Sequence, residues 1–112
     1  MEIRASDLER ITEEQELLVE TACIANYPMY MNNFPNKLFK FLNLKKLQIY
    51  LNISYVPNYI DILYNLEELN LDSNKITTIP ESLYNLKKLK LLNLDRNPIK
   101  DIPKGIGKLE NL

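Results

Sequence analysis

The chain of 112 residues has no histidine, no tryptophan, a single cysteine and only two glycines. Without histidine there is no Ser-His-Asp or Cys-His pair and no imidazole to hold a metal. One cysteine, Cys23, cannot close an intrachain disulfide or build a zinc cluster, and a lone thiol suits a reducing compartment. No apolar run approaches the ~18 residues that span a bilayer. The first twenty residues lack the basic start and apolar core of a secretory leader. An excess of one charge is missing too: 14 bases against 15 acids give a net charge of −1, so no overall field draws the chain to nucleic acid or an anionic membrane. These absences predict an intracellular, cytoplasmic protein that is not an enzyme, with no cofactor, metal, nucleic-acid or membrane partner.

Charge is nevertheless uneven. Residues 1–20 carry seven acids against two arginines, whereas the remainder carries eight acids against twelve bases. The N-terminal segment reads as a separate unit. Ser6 with Glu9 forms a capping-box pattern that opens a helix, and Thr12 with Gln15 offers a second start. At 100° per residue, Leu8, Ile11, Leu18, Val19, Ala22 and Ala25 share one stripe, with Glu9, Glu13, Glu16 and Glu20 on another face. The reading is an α-helical cap within residues 1–34, its helix spanning 6–26 and ended by Pro28, with Met29, Met31 and Phe34 continuing the apolar cover. Cys23 falls in that helix as a small buried hydrophobe.

Beyond it the sequence repeats. Units begin at Pro35, Pro57 and Pro80, with a fragment from Pro103, so the segments are 35–56, 57–79, 80–102 and 103–112. Leu38, Ile60, Leu83 and Ile106 align, as do Phe41, Leu63, Leu86 and Leu109, and Leu44, Leu66, Leu89 and Leu112. Further columns hold Leu47, Leu69 and Leu92, then Ile49, Leu71 and Leu94, then Asn52, Asn74 and Asn97. The Leu69-x-Leu71 step has the two-residue period of a strand, and the preceding Leu-x-x-Leu steps suit a turn or short helix. Stacked, such units form a parallel sheet over one continuous core. The asparagine column falls where the chain leaves the strand, and a carboxamide turned inward can satisfy the backbone groups stranded there.

The run L-x-x-L-x-L-x-x-N-x-I-x-x-I-P, carried by Leu66 to Pro80 and Leu89 to Pro103, resembles the 23-residue leucine-rich repeats of intracellular Ras-suppressor and Scribble-type proteins. The resemblance covers residues 35–112 and implies an α/β leucine-rich-repeat solenoid, with a short parallel sheet on the concave face and irregular or short-helical convex returns. The first unit departs from the pattern: Ile53 or Ser54 must fill the column held by Ile76 and Ile99, so a distorted turn is expected.

Strand alternation assigns the outward concave positions. The first unit offers Lys46, Gln48, Tyr50 and Leu51; the second Glu68, Asn70, Asp72 and Ser73; the third Leu91, Asn93, Asp95 and Arg96. The family resemblance implies a partner protein on this face. Tyr50, Leu51 and Leu91 are its anchor candidates, Gln48, Asn70 and Asn93 a neutral stripe, and Arg96 a directional charge. Chain end Leu112 falls where a next strand would begin. The last fragment is a lid, a surface for homodimer formation, or part of a longer array.

Other motifs take structural readings. KGIGK at 104–108 lacks a phosphate loop's pattern, and Asp72 with Asp95 are solvated neighbours. Asn52-Ile53-Ser54 matches a glycosylation acceptor, but the ladder column should turn Asn52 inward. Lys45, Lys46, Lys87, Lys88 and Lys90 flank Glu67 and Glu68, which favours alternating charge over a nucleic-acid stripe.

Overall fold

The computed structural model describes residues 1–25 and 33–100. Five strands, β1 (Glu2–Arg4), β2 (Thr21–Ala25), β3 (Lys46–Tyr50), β4 (Glu68–Asn70) and β5 (Leu91–Asn93), form one sheet in sequence order. Every pairing is parallel, so each strand needs a return segment to bring the chain back to its starting edge. Those returns carry short 3-10 turns at Ala5–Asp7, Glu13–Leu18, Asn36–Lys40, Ile60–Ile62 and Glu81–Asn85.

The core lies between the strands and the returns, and the sequence columns line it. Leu38, Ile60 and Leu83 are fully buried, as are Phe41, Leu63 and Leu86, and Leu44, Leu66 and Leu89. Strand residues Leu47, Ile49 and Leu69, with Leu71 just past β4, complete it, and Leu92, Leu94 and Ile99 pack against its edge. A unit in isolation would expose this face, so the stack is what stabilises each of them. The short first unit is resolved in favour of Ile53, which is fully buried in the column of Ile76 while Ser54 faces solvent.

The N-terminal segment is not a helical cap. No α-helix occurs among the described residues; the segment holds two strands and two 3-10 turns. Its strands are true repeat layers, because the joint between units is the same throughout. The carbonyls of Met1, Glu20, Lys45 and Glu67 each accept two N–H groups from the start of the following strand, at 2.7–3.2 Å. The spacing Val19-x-x-Ala22-x-Ile24 is that of Leu44-x-x-Leu47-x-Ile49, and β-branched Val19, Thr21 and Ile24 favour the pleat. Five consecutive pairings from Thr21–Lys46 to Ala25–Tyr50 then outweigh helix propensity.

The helical stripe is correspondingly broken. Leu8, Val19 and Ala22 are buried, but Leu18 is 59% exposed and Cys23 lies half-buried on the outward side of β2. The Ser6–Glu9 start is displaced to Ala5–Asp7, where the Asp7 carboxylate accepts the Arg4 N–H at 2.9 Å. Thr12 and Gln15 do open a turn, the Thr12 N–H donating to Gln15 Oε1, yet that turn stops at Leu18. Expectations for Pro28, Met29, Met31, the KGIGK segment and the fragment 103–112 lie outside the described residues.

Candidate functional site

The concave face is a grid whose rows run across the strands. Along its first row Glu2, Thr21, Lys46, Glu68 and Leu91 stand in register, and along its second Arg4, Cys23, Gln48, Asn70 and Asn93. Ala25 and Tyr50 pair in a third row, which Asp72 and Asp95 continue beyond the ends of β4 and β5. An open trough of about 340 Å³ crosses the first two rows, from Glu2 and Arg4 on β1 to Leu91 on β5. Its floor includes Ala22 and Leu47, whose side chains turn into the core.

Most of the concave positions read from the sequence sit here, with two differences. Leu51 is only 7% exposed and belongs to the core, because β3 runs on to Tyr50 and the chain then bends one position later than in the next units. The left-handed turn residue is Asn52 in the first unit but Ser73 and Arg96 in the others, at φ of 58°, 62° and 55°. Asn52 is therefore exposed instead of filling the ladder column, and in the acceptor motif Asn52 and Ser54 face solvent while Ile53 between them enters the core. The second difference is an addition. Glu2, Arg4, Thr21 and Cys23 extend the face by two strands in the segment 1–34 expected to be a helical cap, and the Val-x-x-Ala-x-Ile spacing was the signal for β2.

The other two asparagines hold the rim of the grid. Asn74 Oδ1 accepts the N–H groups of Leu51 and Ile53 at 3.1 and 3.3 Å, and its Nδ2 donates to the carbonyls of Ile49 and Leu71 at 2.9 and 2.8 Å. One unit later Asn97 accepts the Ile76 N–H at 3.0 Å and donates to Leu71 and Leu94. A second amide series on the opposite edge of the strands was not read from the sequence: Asn43 donates to the Leu17 carbonyl and Asn65 to that of Leu42, both at 2.9 Å. Its signal was the column Asn43, Asn65 and Lys88, and Lys88 Nζ donates to Asn65 Oδ1 at 2.7 Å.

Charges on the face are spent on one another. Arg4 pairs with Glu2 at 3.3 Å and Lys46 with Glu68 at 3.1 Å. Arg96 grips Asp72 with Nε on Oδ1 at 2.9 Å and a second, parallel bond from its terminal nitrogen to Oδ2. That hydrogen bond, helped by Ser73, holds the Asp72 carboxyl below the usual range against the opposing effect of partial burial, and Asp72 in turn raises Arg96. Arg96 is thus a committed partner of Asp72 and not a free directional charge. Beside the face, Lys45 pairs with Glu20 and Lys90 with Glu67, so the lysine clusters alternate with acids along the stack. Among the described residues no cluster of His, Cys, Asp or Glu has the form of a metal site, and no helix is long and apolar enough to cross a membrane.

Comparison with known proteins agrees with this architecture. Residues 57–99 match the family model described as leucine rich repeat. Comparison with curated protein sequences gives no match. Among solved structures, a leucine-rich-repeat protein of Leptospira interrogans superposes with a TM-score of 0.76 at 26% identity, covering 90% of this chain and 26% of that one. The leucine-rich-repeat ectodomain of the Arabidopsis thaliana membrane receptor kinase GASSHO1/SCHENGEN3, solved in complex with Casparian strip integrity factor 2, gives 0.72 at 24% identity, covering 90% and 13%. An internalin of Listeria monocytogenes gives 0.63 at 21% identity, covering 91% and 30%. The chain thus spans less than a third of the length of each of these structures. A 90% match reaches past residues 35–112 into the N-terminal units, in keeping with their strand pairing. Residues 57–99 are thus leucine-rich repeats, and the parallel stack that continues them toward the N-terminus is built on the same joint.

Proposed function

We propose that the chain is a non-enzymatic protein-interaction module that holds a partner polypeptide across its concave face. The observation that carries this reading is the face itself: five registered strands turn their outward side chains into one open trough, flanked by Tyr50 at 52% and Leu91 at 44% exposure. Exposed aromatic and aliphatic side chains beside a hydrogen-bonding surface are what interface anchors are made of. The plant ectodomain, whose complex with Casparian strip integrity factor 2 shares this fold, supports a polypeptide as the class of partner. The free thiol of Cys23 on that face supports a reducing, intracellular setting.

Affinity capture with the wild-type chain and with Tyr50→Ala and Leu91→Ala tests the reading. Both side chains are exposed, so melting temperature should hold while the captured partner is lost. Equal capture by wild type and both variants would remove the concave face from the function. Arg96→Ala should matter less, since its guanidinium is already engaged by Asp72.

A further inference from the structure

Hydrogen-bonding capacity on the concave face is used unequally. Asn70 and Asn93 each turn Oδ1 back onto their own chain, accepting the N–H of Asp72 at 3.0 Å and of Asp95 at 2.9 Å. This local bond fixes each carboxamide, as Asx turns do. It consumes the acceptor and leaves the NH2 group without a partner among the described residues. The Gln48 side chain, in register with both, makes no hydrogen bond among the described residues. Three carboxamide donors therefore stand in one row, about 4.8 Å apart by the spacing of strands. The charged groups of the trough offer no counterweight, because Glu2 with Arg4, and Lys46 with Glu68, are closed pairs, as are Asp72 and Arg96 at its rim.

From this imbalance we infer that the occupant of the trough is an extended, uncharged stretch of a partner polypeptide whose carbonyl and side-chain oxygens lie over the Gln48, Asn70 and Asn93 donors. The inference rests on the concave-face reading and names the chemistry that the face selects. A charged segment would gain nothing from a surface whose ions are already paired, and would have to break a pair to be held. A donor row calls for acceptors. Length follows from geometry: four strand gaps of about 4.8 Å make about 19 Å, which extended chain at about 3.3 Å per residue covers in about six residues. Leu91, at the far end of the trough, gives that stretch one apolar contact.

The test uses the full chain and a displayed library of random hexapeptides, with selected sequences resynthesised for titration. Enriched peptides should be uncharged and rich in Asn, Gln, Ser and Thr, with affinity changing less than about twofold between about 50 and 500 mM salt. Gln48→Met, which keeps the size of the side chain and breaks no side-chain hydrogen bond among the described residues, should weaken them about threefold to tenfold. The bound peptide should also slow alkylation of Cys23, the thiol beside Gln48 in the same row. Enrichment of acidic or basic peptides whose affinity falls about tenfold or more over that salt range, with Cys23 still protected, overturns the inference and leaves the concave-face reading standing. Peptides that ignore Gln48→Met and leave Cys23 unprotected remove both, and no enrichment at all overturns the inference.

Discussion

β2 and β3 are joined along five residues by backbone pairing, whereas β4 and β5 pair over three, after which the Leu71 and Ser73 N–H groups still reach the Asn93 and Asp95 carbonyls but the Leu71 carbonyl is taken by the Asn97 amide. β3 shows the change within one strand. Its edge toward β2 is paired through Tyr50, but its edge toward β4 stops at Gln48, and beyond that point Asn74 reaches the Ile49 carbonyl and the Leu51 N–H. Longer strands and an asparagine ladder are two solutions to one requirement, that backbone groups facing a neighbouring unit find partners. The amide solution goes with an earlier turn, at Ser73 and Arg96 in the later units against Asn52 in the first.

The largest effect that could break this comparison is the loss of the buried amide. Asn74→Ala strands the Leu51 and Ile53 N–H groups and the Ile49 carbonyl, and should cost about 3–5 kcal/mol in denaturant unfolding. Asn97→Ala, half-buried, should cost about 1–3 kcal/mol, and exposed Asn52→Ala less than about 0.5 kcal/mol. Equal losses at Asn52 and Asn74 would contradict the one-residue offset of the first turn. In the region without the ladder, Ile24→Ala should cost about 2–4 kcal/mol and Leu18→Ala under about 0.5 kcal/mol. A helical cap would have made Leu18 a core residue, so this pair of melts separates the two readings.

Smaller effects probe the charged columns. Lys90→Glu sets two acids against each other at Glu67 and should cost about 0.2–1 kcal/mol, a loss that added salt removes. The smallest change is at the rim. Because Arg96 lowers the Asp72 carboxyl in the folded chain, the pair stabilises above the ordinary value of 3.8 and that contribution disappears as pH falls through the lowered value. The melting difference between wild type and Asp72→Asn should therefore shrink on acidification below about pH 4. A carboxyl titration by NMR that placed Asp72 at or above the ordinary value would contradict the pairing.

Periodicity exposed the regular units because every third or fourth apolar residue had a counterpart one unit away. Leu44, Leu66 and Leu89 were core in the pattern and are core in the fold. The N-terminal layers were misread for a reason that lies in the same pattern. Between Ile3 and Ala22, and between Ile24 and Ile49, the units are 19 and 25 residues long, so no fixed period reveals them. Their small alanines also fit an amphipathic helix locally. Of the candidate surface, Lys46, Gln48, Tyr50, Glu68, Asn70 and Leu91 followed from strand alternation, while Thr21 and Cys23 could not follow from a segment read as helix.

By itself, then, the sequence determined the stacked repeat, its core columns and two of its ladder amides, since those depend on spacing that every unit restates. Only the tertiary structure decided where the stack begins, which side Leu51 and Asn52 face, and how far the concave face extends. Those outcomes depend on β3 being available to pair with residues 21–25, and a partner more than twenty positions away in the chain leaves no mark on local periodicity.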